Sequence, residues 1–103
     1  MSTGIELIAA ERWRQIEQEG WTPDHDAEHD SCEMGMAASA YLLAAQFASQ
    51  PKFRQVPQRL WMPDYWPWDV AWWKPSNDPI RNLVKAGALV AAEIDRLRAV
   101  TPT

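Results

Sequence analysis

The chain has 103 residues, a formal net charge of −4 and a sequence pI of about 5.0. That length fits one domain, residues 1–103, and a domain so short buries limited surface, so pairing of two copies is an expected remedy. An acidic chain lacks the positive field that general nucleic-acid binding needs, although a small anionic ligand held by a few basic groups or a metal stays within reach. Cys32 is the one cysteine, which forms no disulfide within the chain and points to the cytoplasm. No apolar run approaches the roughly 20 residues of a membrane span, and MSTGIELIAAERWRQ gains charge too early for a signal peptide.

Residues 3–19 predict a first helix. Ile5, Ile8, Ala9, Trp13 and Ile16 recur at helical spacing on one apolar face. Thr3 and Glu6 stand at capping-box spacing, and Gly20 marks a stop. Pro23 then biases Thr22 away from helix, and Asp24 or Asp26 can cap a second helix over about 26–49. Its body, Met34 to Ala48, is apolar nearly all round and so reads as buried on more than one side.

Five prolines from Pro51 to Pro75 leave no room for an ordinary helix. Six Trp or Tyr side chains in that connection predict that it packs on the bundle rather than floats, with one short helical turn around Trp68 to Trp73. A third helix over about 78–99 is capped by Ser76, Asn77 or Asp78, with Pro79 in its first turn. Ile80, Leu83, Val84, Gly87, Val90, Ala91, Ile94 and Leu97 form a heptad-like stripe, and Gly87 with its neighbouring alanines lets another helix approach closely. The expected fold is all-α: three long helices, a Pro/Trp-rich connection packed on them, and a homodimer formed through the third helix.

Three groups of residues carry chemical interest. His25, His29 and Glu33 are spaced by four, so on one helix they share a face that suits a divalent cation; Glu93 or Asp95 is the expected donor from the third helix. The same residues also read as a solvated, acidic first turn. Trp68, Trp72 and Trp73, with Lys74, can stack on a base and meet a phosphate, or the tryptophans can plug the open end of a helical bundle. Lys85, between apolar neighbours, points into a site or snorkels from the edge of the buried stripe.

Two resemblances follow from longer stretches. ERWRQIEQEGWTPDHDAEHDSCEMGMAASAY and WPWDVAWWKPSNDPIRNLVKAGALVAAEIDRL together resemble a group of small phage and prophage proteins with no settled activity, which implies a phage accessory protein in the host cell cytoplasm. The chain also resembles, more weakly, the MazG-like all-α nucleotide pyrophosphohydrolases. In that superfamily an E-E-x-x-E helix and a later E-x-x-D helix hold magnesium against a triphosphate. The resemblance implies Glu33 in the first acidic helix and Glu93 or Asp95 in the second. Glu33 is followed by Met34, Gly35 and Met36, and EIDR departs from E-x-x-D, so the acidic site is degenerate. Two functions are therefore expected as alternatives. One is binding of a nucleotide-like anion, with Mg2+ or another divalent cation. The other is a non-enzymatic module that docks on a host protein through its Trp-rich face.

Overall fold

The computed structural model describes residues 2–21, 32–53, 56–57, 60 and 62–100. Three long helices carry the fold, α1 (Gly4–Glu19), α2 (Glu33–Ser49) and α3 (Pro79–Val100), and no strand occurs among the described residues. The all-α expectation holds.

Local chemistry sets the ends of α1 and α3. Thr3 accepts from the Glu6 N–H at 3.2 Å while Glu6 accepts from the Thr3 N–H at 2.8 Å, the reciprocal capping box. Gly20 closes α1 in the left-handed region at φ 73°. At α3, Asp78 accepts from the Ile80 N–H at 2.9 Å, and Ser76 in turn accepts from the Asp78 N–H at 3.0 Å. The start of α2 differs from the expected 26. Cys32 lies at φ 65°, ψ 24°, a left-handed conformation that a right-handed helix cannot pass through, so α2 begins at Glu33. Asp24 and Asp26, the expected caps, lie outside the described residues.

α3 is the central element. α2 packs along it, and α1 packs on another part of its surface, while α1 and α2 do not pack closely on each other among the described residues. Small side chains permit the close approach: Ala37, Ala40 and Ala44 of α2 and Ala86, Ala88 and Ala92 of α3 are all enclosed. A methyl group added to Gly87 would come within 2.6 Å of the Ile8 side chain, so α1 seats an isoleucine where α3 has no side chain.

α1 packs through only part of the face its apolar spacing suggests, Ile8, and encloses a polar edge beside it. Glu11, Arg12 and Gln15 are enclosed, whereas Ile5 and Trp13 are 83% and 61% exposed. The reason is an ionic attachment. Glu11 takes a two-pronged bond from Arg14 at 2.8 Å in both arms and a 2.8 Å ion pair from Arg81 of α3. Burial acts to raise the Glu11 pKa, but the hydrogen bonds and charges of Arg14 and Arg81 outweigh it and hold the carboxyl below its ordinary value.

The connection between α2 and α3 closes one side of this arrangement. Trp66 and Trp73 are buried on Tyr41 of α2, with ring centroids 5.7 and 5.0 Å from it and 4.9 Å from each other. Trp68 extends the cluster to Trp66 at 5.5 Å and to Trp21 at 5.9 Å. The expected turn is present as a single 3-10 turn over Val70–Trp72, capped by Asp69, which accepts from the Ala71 N–H at 2.8 Å. Fully enclosed Asn82 pins the end of the connection to α3. It accepts from the Ser76 N–H and donates to the Ser76 carbonyl, both at 2.7 Å.

Candidate functional site

Of the residues read as metal ligands, Glu33, Glu93 and Asp95 lie among the described residues. His25 and His29 lie outside the described residues. Cys32, directly before Glu33, is left-handed, so Glu33 opens α2. Helices α2 and α3 do meet near Glu93, whose Oε2 is 3.6 Å from a methyl built on Gly35. Glu93 is already engaged, its Oε1 accepting from Arg96 Nε at 2.5 Å. Asp95 is exposed, and two residues of helix turn it about 200° away from Glu93. Among the described residues no group of three or more His, Cys, Asp or Glu is arranged to hold a metal ion.

The tryptophan loop divides by role. Trp73 is enclosed and Trp68 is partly buried, so both belong mainly to the ring cluster over Tyr41. Trp72 is 49% exposed, with Lys74 Nζ 5.4 Å from the centre of its ring. Lys85 bends over Tyr41 at 5.4 Å and donates to the Lys74 carbonyl at 2.5 Å. Burial, and then the charge of Arg81, lower its pKa. It therefore braces the loop. The plug reading of the tryptophans accounts for Trp66, Trp68 and Trp73, and leaves Trp72 as the indole able to meet a ligand among these.

A larger surface lies on the opposite side. Beside the faces that α1 and α2 cover, an arc of α3 is left largely exposed. Ile80, Leu83, Val90, Ile94 and Leu97 occupy it, each between 43% and 59% exposed, at the alternating spacing of three and four residues that defines a coiled-coil seam. Gly87 completes the seam, with Ile8 over it. Exposed Leu42 lies on α2, and a depression of about 370 Å³ lined by Ala45, Gln46, Ser49, Gln50 and Leu83 marks the junction of α2 and α3. The stripe was legible in the sequence as a heptad pattern. Its exposure was not, because that depends on where α1 and α2 settle on α3. The Glu11–Arg81 pair was missed, although Glu11 and Arg14 stand at helical pairing distance.

Comparison with protein-family models, with curated proteins and with solved structures gives no match. No described helix is long and apolar enough to cross a membrane.

Proposed function

We propose that this chain is a non-enzymatic protein–protein interaction module whose working surface is the bare seam of α3. One observation carries the reading: five large aliphatic side chains in register along one helix, all half-exposed on a small domain. A contiguous apolar patch beyond a few hundred Å² is uncommon on a monomer and marks a contact surface. The seam is favoured over the Trp-rich face as the contact surface, because Trp66, Trp68 and Trp73 are committed to packing. The resemblance to small phage proteins fits an accessory role in the cytoplasm of a host cell.

The test is a pair of charged substitutions, Val90→Lys and Ile94→Lys, read with an environment-sensitive apolar dye and by circular dichroism. Where the seam is uncovered in solution, the protein binds dye and the variant loses that signal with its helicity intact. Where a partner covers the seam, the variant's hydrodynamic size falls. A chain that neither binds dye nor changes size on substitution contradicts the reading.

A second reading keeps the nucleotide-like anion and rests on the exposed Trp72–Lys74 pair. A nucleoside triphosphate with magnesium should quench indole fluorescence, and Trp72→Ala should remove the quench. An unchanged spectrum in the wild type rejects it.

A further inference from the structure

We infer that the occupant of the α3 seam is a second copy of this chain, docked antiparallel about a two-fold axis that crosses α3 between Ala88 and Leu89. This rests on the reading of the seam as an interaction surface and names its partner.

Three observations select a second copy in this register. First, the seam is self-complementary. The two-fold places Ile80 opposite Leu97, Leu83 opposite Ile94, and Val90 opposite the Gly87–Ile8 pair. Large side chains meet large ones towards the ends, and at the middle Val90 meets Ile8, which fills the place over Gly87, so the contact is isologous as a two-fold dimer requires.

Second, charge selects the direction. The seam itself contains no ionisable residue. Exposed Arg98 lies beyond its C-terminal end and exposed Asp78 at its N-terminal end. An antiparallel pair brings Arg98 of each copy towards Asp78 of the other and opposes the two helix dipoles. A parallel pair would set Arg98 beside Arg98 and align the dipoles.

Third, the size is right. From Ile80 to Leu97 the seam runs about 25 Å at 1.5 Å per residue. With the flanking edges of α1 and α2, two helix diameters of about 10 Å each, the footprint is on the order of 500 Å² before side-chain relief. That approaches the roughly 800 Å² per partner of a stable interface. Two such units stacked on their bare sides give the two-layer packing that a domain needs to enclose a core, with a tryptophan plug on each outer side.

The experiment uses the full chain carrying Cys32→Ser, so that no native thiol competes. Sedimentation equilibrium should give twice the 11.8 kDa of the chain, and Val90→Lys with Ile94→Lys should halve it. Two further variants, Leu83→Cys and Ile94→Cys, are then mixed unfolded, refolded together and mildly oxidised. The mixture should yield a disulfide-linked pair containing one of each, because the antiparallel register puts position 83 opposite position 94. Each variant alone should remain unlinked, its two thiols lying about 16 Å apart along the axis. Linkage within each variant alone, with none between the two, indicates a parallel pair and overturns the register. A monomer that binds apolar dye at the seam overturns the second copy while leaving the interaction surface intact, its occupant then being a helix from another protein. A monomer that binds no dye overturns both.

Discussion

Gly87→Ala probes the seat of α1 on α3, and its sign depends on one neighbour. In a free helix the change stabilises by about 1 kcal/mol, because alanine loses less backbone entropy than glycine. Here the added methyl would sit 2.6, 2.8 and 3.3 Å from three carbons of Ile8. Two of those distances are too short for carbon contacts, and Ile8, branched at Cβ, cannot clear the space by turning its tip alone. Overpacking of that kind costs about 1–3 kcal/mol. The expected net effect is therefore between no change and a loss of about 2 kcal/mol. In an Ile8→Ala background the obstruction is gone, and the same substitution should stabilise by about 1 kcal/mol. Urea unfolding followed by circular dichroism, at one protein concentration for all four proteins, gives the double-mutant cycle, with an expected coupling of about 1–3 kcal/mol. If Gly87→Ala stabilises equally with and without the Ile8 side chain, α1 does not rest on α3 at this point.

Asn82→Ala removes both bonds to Ser76 and leaves a partly buried backbone donor and acceptor without that partner, so a loss of about 1–3 kcal/mol is expected in the same assay; a loss under about 0.5 kcal/mol would show that Ser76 finds other partners. Trp73→Ala should cost about 3–5 kcal/mol, whereas Trp72→Ala should stay within about 0.5 kcal/mol, and equal losses would contradict the division between plug and surface. Acid stability should report Glu11. Its folded pKa lies below the ordinary carboxylate value of 4.5, so its contribution is present above that pH and is lost as the pH falls through the folded value. Glu11→Gln should flatten that part of the stability profile below pH 4.5, and an unchanged profile would assign the acid dependence to other carboxylates.

Much of the architecture was legible because local signals agree with the final fold. The Thr3–Glu6 capping box, Gly20, the Asp78 cap and Pro79 each act within a few residues, so their meaning does not depend on distant packing. Proline spacing likewise predicted a packed, non-helical connection with one short turn, and the cluster of Trp66, Trp68 and Trp73 follows from it. The errors arise where tertiary geometry decides. Spacing on α1 identifies an apolar face, of which Ile8 packs on α3, but cannot reveal that Glu11 attaches the helix to Arg81 as well. The start of α2 was placed too early because a left-handed Cys32 has no sequence signature comparable to glycine. The heptad stripe of α3 was visible, yet a heptad pattern looks the same whether the partner helix comes from the same chain or another copy.

On a single chain the α3 seam is exposed except at Gly87, where Ile8 covers it, and in the working form the whole seam is covered. Hydroxyl-radical footprinting of the full chain over a range of concentrations measures this directly at Leu83, Val90, Ile94 and Leu97. Oxidation of these four should fall as concentration rises and the sedimenting mass doubles, while oxidation of Trp72 stays constant. Oxidation of all four in proportion to their single-chain exposure, at every concentration, would contradict the account.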